Sequence, residues 1–166
     1  PVDFNNEFTN NTLNAVKELQ QDAGIAADGS VTVAFMAALF DMAAFVLVSS
    51  GDAKVRTMQQ ALNRKFSGEL QELMPCDGVY QRATNTALIY ALQRAIGMSS
   101  AQANGNYGPG TIAATPTVNQ GANSDVVQVI QYGLYVNGFY TGAFDGYFSS
   151  DVATAVVAFR KFMNLP

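Results

Sequence analysis

Thirteen carboxylates, one cysteine and no histidine decide which chemistry this chain of 166 residues can carry. Without histidine, Ser-His-Asp and Cys-His nucleophilic sites and histidine-containing zinc sites are excluded together. What remains is a pair of carboxylates flanking a glycosidic bond, one as general acid and one as base or nucleophile. The pool for such a pair includes Asp3, Glu7, Asp22, Asp28, Asp41, Asp52, Glu69, Glu72, Asp77, Asp125, Asp145 and Asp151. Three of these, Asp28, Asp77 and Asp145, stand directly before glycine, where an Asp side chain accepts from nearby backbone amides and shapes a turn. No spacing brings two free carboxylates together, so no catalytic residue is expected. Cys76 reads as a small buried apolar residue. The run Asn104-Gly105-Asn106-Tyr107-Gly108-Pro109-Gly110 lacks the Gly-Lys-Ser/Thr ending of a phosphate loop and reads as turns.

The elements that must hold these turns are written more than once. A helix pattern with Val55, Met58, Gln59 and Leu62 leads to Asp77-Gly78-Val79-Tyr80; Val127, Ile130, Gln131 and Leu134 lead to Asp145-Gly146-Tyr147-Phe148. The distance between the two Asp-Gly pairs exceeds solenoid repeats of roughly 20–50 residues and fits a small module in tandem. A partial copy opens the chain, with Phe4-Asn5-Asn6-Glu7-Phe8 in the place of Phe144-Asp145-Gly146-Tyr147-Phe148. A second kind of turn precedes a short helix at Asp28-Gly29 and again at Asn104-Gly105. The unit is therefore helix, Asp-Gly turn, helix, Asp/Asn-Gly turn, helix, and only the middle copy has every part. The expected division is 1–50 partial, 51–119 complete and 120–166 partial.

Capping and periodicity place six helices: from Thr9 or Asn11 to a stop at Gly24, then about Thr32–Ala43, Ala53–Phe66, Ala83–Ile96, Asp125–Val136 and Asp151–Met163. A further short turn is expected near Thr111–Ala114, and Phe45-Val46-Leu47-Val48 reads as a packed linker. The fold class is all-α.

Nine basic against thirteen acidic residues, net charge −4, leave too little Lys and Arg to neutralise a phosphate backbone, so no nucleic-acid partner is expected. Only 13% of residues are charged, and a surface rich in Asn, Gln, Ser and Thr suits hydrogen bonding to sugars and amides. The stretch from Val31 to Val48 is interrupted by Thr32 and Asp41 and falls short of the roughly 20 apolar residues of a span, so no membrane insertion is expected. Pro1-Val2-Asp3-Phe4 shows neither the basic nor the apolar region of a signal peptide, which reads as a processed or excised segment.

The middle copy, through Val55, Gln59, Leu62, Asp77, Gly78, Tyr80, Thr84, Ala87, Gln93, Gly97, Asn104, Gly105, Gly108 and Thr111, resembles the type 1 peptidoglycan-binding domain family, a three-helix module. Gln81, Ser149 and Arg160 depart from that family's pattern. The resemblance implies binding of peptidoglycan, through its glycan or stem peptide, by a non-catalytic segment covalently linked to a glycoside-hydrolase-like domain. It implies a cell-wall or extracellular location in Gram-positive bacteria or their phages, and no cofactor or metal.

With no tryptophan, tyrosines are the aromatic surfaces such a ligand would meet. Tyr107, Tyr135 and Tyr140 lie in or beside loops with no apolar periodicity requiring them, and Tyr147 is expected to be exposed. These four, with the turn residues Asp77 and Asp145, form the ligand-binding set. Tyr80 and Phe148 are expected to pack in the core, and Gln20, Gln59, Gln93 and Gln131 to tie helices to neighbouring loops. Two other classes are open: a structural or protein-interaction module of a phage or envelope assembly, and a protease pro-domain. The second would need Arg and Gly around Cys76, where the chain has Met74-Pro75-Cys76-Asp77.

Overall fold

Short polar residues start five of the helices, Thr32 among them through the Phe35 N–H that its hydroxyl accepts at 3.1 Å. Thr9, Asp52, Ser124 and Ser149 each accept a backbone N–H of the first turn on the side-chain oxygen, at Thr12, at Lys54 and Val55, at Val127 and at Val152 respectively. The computed structural model describes residues 5–40, 45–69, 73–140 and 142–165. The helices are α1 (Asn10–Asp22), α2 (Val33–Phe40), α3 (Ala53–Phe66), α4 (Arg82–Ala95), α5 (Pro109–Ala114), α6 (Asp125–Val136) and α7 (Ser150–Phe162). Among the described residues there is no strand, only an isolated bridge between Asn123 and Tyr147. The all-α expectation holds.

The helix ends at Gly24 and Gly97 turn through left-handed backbone, with φ of 76° and 90°, where glycine has no Cβ to clash. Asn164, past the end of α7, adopts φ 53° in the corresponding place. Expected helix limits agree closely with the structure. The last residues expected of α2 fall at 41–43, outside the described residues, as do Phe4 of the opening turn and the carboxylates Asp3, Asp41 and Glu72.

The chain divides into two compact units, Pro1–Thr84 and Asn85–Pro166. In the first, Val55, Met58, Leu62 and Phe66 are buried along one face of α3. Ala23, Ala38, Phe45, Leu73 and Cys76 form a neighbouring cluster. Of the expected linker, Phe45 is buried while Val46 and Leu47 are exposed.

Polar side chains stitch α3 to the end of α1. The Arg56 guanidinium donates to the Asp22 carboxylate at 2.8 Å, to the Phe45 carbonyl at 3.0 Å and to the Cys76 carbonyl at 3.0 Å. Asn63, fully buried, donates to the carbonyls of Ala23 at 3.0 Å and Met74 at 2.7 Å and accepts the Met74 N–H at 2.7 Å. A buried amide that lost these partners would cost far more than one bond contributes, so the network specifies one arrangement of the segments.

In the second unit Val127, Leu134, Tyr140, Phe148, Val152 and Ala155 form the core. Edge contacts of Phe139 with Phe159 at 5.3 Å and of Tyr132 with Phe144 at 4.7 Å extend it.

Candidate functional site

One local structure is built four times. A glutamine on the inner face of a helix reaches across to an Asp/Asn-Gly turn: Gln20 to Asp28-Gly29, Gln59 to Asp77-Gly78, Gln93 to Asn104-Gly105 and Gln131 to Asp145-Gly146. Each amide nitrogen donates to the Oδ1 of the turn residue, at 2.9, 3.0, 3.2 and 2.8 Å. It also donates to the carbonyl two residues after the turn residue, at Ser30, Val79, Asn106 and Tyr147. Each amide oxygen accepts the N–H of the turn glycine, at 2.8, 2.8, 2.9 and 2.9 Å.

The same Oδ1 atoms accept a second bond from the backbone of Ser30, Val79, Asn106 and Tyr147. All four glutamines are buried, and a buried primary amide needs this set of partners to offset its desolvation. In the middle copy Thr84 and Thr111 add hydroxyl acceptors for Gln59 and Gln93, at 3.2 and 2.9 Å. The residues in that register at the outer turns are Phe35 and Val152, both buried. The expected helix-to-loop role of the glutamines holds at every copy.

The carboxylates at two turns are electrostatically tuned by these bonds. The Ser30 N–H and then the Gln20 amide hold Asp28 below the usual carboxylate range. For Asp145 the Gln131 amide is the larger cause and the Tyr147 N–H the second. Asp77 is 9% exposed and its Oδ1 carries the bonds from Gln59 and Val79, which makes it a turn-forming residue at the surface edge.

The tyrosines separate into two groups. Tyr107 and Tyr147 are 52% and 45% exposed, displayed from the third and fourth turns. Tyr135 is half-buried near the end of α6, edge-on to Phe144 at 5.4 Å. Tyr140, read from sequence as having no packing demand, belongs to the core instead, its hydroxyl donating to the Ala143 carbonyl at 2.9 Å. Burial, and then the charges of Asp145 and Asp151, push its phenol pKa up.

Tyr80 corrects the sequence in the other direction. It was expected beside Phe148 as a core position, yet it is 38% exposed while Phe148 is buried. Phe148 is drawn inward by backbone bonds, its N–H to the Ala122 carbonyl at 2.8 Å and its own carbonyl from the Gly121 N–H at 2.9 Å. A phenol, unlike a phenyl ring, is also served by keeping its polar tip near water. Each turn thus displays an apolar or aromatic side chain two or three residues past its Asp or Asn: Val31, Tyr80, Tyr107 and Tyr147. Beside each lies backbone fixed by a glutamine. Such a surface offers ring faces and rigid amides for sugar or peptide groups.

Residues 48–166 match the family described as FadG/YbfG, PGDB-like domain. This chain belongs to the FadG/YbfG PGDB-like domain family. The matched residues carry three of the four glutamine-locked turns. The chain is 49% identical over 170 aligned residues to the Bacillus subtilis (strain 168) protein YbfG, covering 100% of the chain and 23% of YbfG. It is 36% identical to FadG of the same organism, covering 99% of the chain and 29% of FadG. The PGDB-like chain therefore spans about a quarter of the length of these curated relatives. No solved structure matches it.

Proposed function

We propose that this PGDB-like chain is a non-catalytic peptidoglycan-binding module that holds an attached cell-wall hydrolase on murein. The observation that carries the reading is the turn repeated four times, each copy rigidly displaying an apolar or aromatic side chain, on a chain of a PGDB-like family. Weak sites on one polymer-binding chain raise effective concentration, so the array binds firmly although each contact is weak. The glycan or stem peptide is the ligand in this reading, with Tyr107 and Tyr147 as exposed contacts, Tyr135 at the edge, and Asp77 and Asp145 fixing the turns. Tyr140 serves by shaping the core under the Asp145 turn. The division into copies at 1–50, 51–119 and 120–166, the linked catalytic domain and the extracellular, Gram-positive setting belong to the same proposal.

Co-sedimentation with purified sacculi freed of teichoic acid, with turbidity followed in parallel, tests it. Saturable pelleting without lysis is the expected result, weakened several-fold by Tyr107→Ala with Tyr147→Ala. Failure to pellet with any sacculus would overturn the reading. A second reading, a protein-interaction module of an envelope or phage assembly, is favoured by the exposed Val33, Met36, Leu39 and Phe40 of α2. It predicts a defined protein partner and no affinity for murein.

A further inference from the structure

A cavity of about 260 Å³ opens in the first unit, where the Asp28-Gly29 turn faces the end of α3. Ile25, Ala34 and Leu73 give it an apolar lining, and Asp28, Thr32 and Ser67 supply its oxygens. Gln20 also borders it, but that amide is committed to the turn.

The Asp28 charge exceeds what the turn requires. Asn104 occupies the corresponding place at the third turn and makes the same bonds, accepting from the Gln93 amide at 3.2 Å and from the Asn106 N–H at 2.9 Å. A neutral amide therefore suffices for this backbone. At Asp28 the bonds from the Gln20 amide and the Ser30 N–H both fall on Oδ1; the Ser30 hydroxyl is a further donor to the carboxylate, whose two oxygens have lone pairs enough to accept from a ligand as well. Thr32 Oγ1 accepts one bond, from the Phe35 N–H at 3.1 Å, and has a second lone pair. Lys17 passes over Gly29 without an ion pair to Asp28 among the described residues.

We propose that this cavity takes a primary ammonium carried on a short aliphatic stem. An ammonium brings three N–H donors to a lining whose oxygens are those of Asp28, Thr32 and Ser67, and an aliphatic stem suits its apolar side at Ile25, Ala34 and Leu73. The source of that group rests on the peptidoglycan reading: it is the side-chain amine of a diamino acid in a cell-wall peptide.

The test is an NMR titration of the full chain with Nα-acetyl-lysine amide and with the same compound acetylated on its side-chain amine. Saturable shifts at the Thr32 and Ser67 amides are expected with the free amine and absent with the acetylated one. Asp28→Asn, which keeps the turn as Asn104 does, is expected to weaken binding at least about threefold with an unchanged circular dichroism spectrum. Asp151→Asn is expected to bind as the parent chain does. Equal binding of both compounds, no shifts at these amides, or an Asp28→Asn variant that binds unchanged would overturn the proposal. Sacculus co-sedimentation of the same samples separates it from the broader reading. Pelleting without amine binding would overturn the cavity proposal alone, and amine binding without pelleting would overturn its cell-wall source alone.

Discussion

Gln59 accepts the backbone N–H of Gly78 on its amide oxygen at 2.8 Å, and both residues are buried. The amide nitrogen of Gln59 meanwhile donates to Asp77, to the Val79 carbonyl and to Thr84. One side chain thus determines where the turn sits on α3. Gln59→Ala leaves the Gly78 N–H buried without its acceptor and opens a void. A loss of about 2–4 kcal/mol is expected from the two effects together. Urea unfolding followed by circular dichroism measures it, with Gln128→Ala as comparison, since Gln128 makes a single bond to the Phe144 carbonyl at the surface edge. A Gln59 variant no weaker than the Gln128 variant would refute the locking role.

Acid should weaken the first and last turns of the glutamine framework. Asp28 and Asp145 are both held below the usual carboxylate range in the fold, by donors that the unfolded chain does not organise. For a depressed pKa the stabilisation is fully present above the unfolded value, near 3.9, and is lost as pH falls through the folded value. Stability is therefore expected to decline below about pH 4. The double variant Asp28→Asn with Asp145→Asn keeps the turn geometry seen at Asn104 and should flatten that decline. Chemical denaturation across pH 2–6 reads the slope, and an unchanged slope in the double variant would count against the assignment.

These turns show how far the sequence carried and where it stopped. The glutamines were legible because a polar residue recurs at one position of an otherwise apolar helix face, always ahead of an Asp-Gly or Asn-Gly pair. Caps were legible for the same local reason, so α3 and α6 begin after Asp52 and Ser124 as expected. Tyr80 and Tyr140 were not, because loop burial depends on contacts made by the backbone around them. The bonds that pull Phe148 inward come from Gly121 and Ala122, residues outside its own turn. Asn63 carries the same kind of signal: it lies four residues after Gln59, on the same buried face of α3. Arg56 left none, since its partners Asp22, Phe45 and Cys76 are scattered along the chain.

Cys76 should be inert in the folded chain. Burial is the main cause that pushes its thiol up to about 12, against the opposing pull of Arg56. The thiolate is the reactive form, so iodoacetamide at pH 8 is expected to leave native protein unlabelled and to label it in urea. The sign of the linkage follows from the raised value. The contribution is complete below the unfolded thiol pKa, near 8.5, and declines as pH rises from there toward the folded value. Rapid labelling under native conditions, read by intact mass, would show that Cys76 is accessible after all.

The end of α7 offers a comparison in which the chain supplies its own controls. After α1 and α4, glycines at 24 and 97 take positive φ, and the next residue returns its N–H to the Gln20 or Gln93 carbonyl at 3.0 Å. After α7 the same closure runs from the Leu165 N–H to the Arg160 carbonyl at 2.9 Å, but the left-handed position is Asn164. Asparagine tolerates this conformation better than other residues with a Cβ, and glycine better still. Asn164→Gly is therefore expected to stabilise the second unit by several tenths of a kcal/mol up to about 1 kcal/mol, the gain reduced by the greater freedom of glycine in the unfolded chain. Asn164→Ala, which keeps the Cβ and loses the side-chain amide, should destabilise by about 1 kcal/mol. The urea midpoints of the three proteins should rank Gly, Asn, Ala. An alanine variant as stable as the parent would mean that this closure frays in solution and contributes nothing to holding the end of α7.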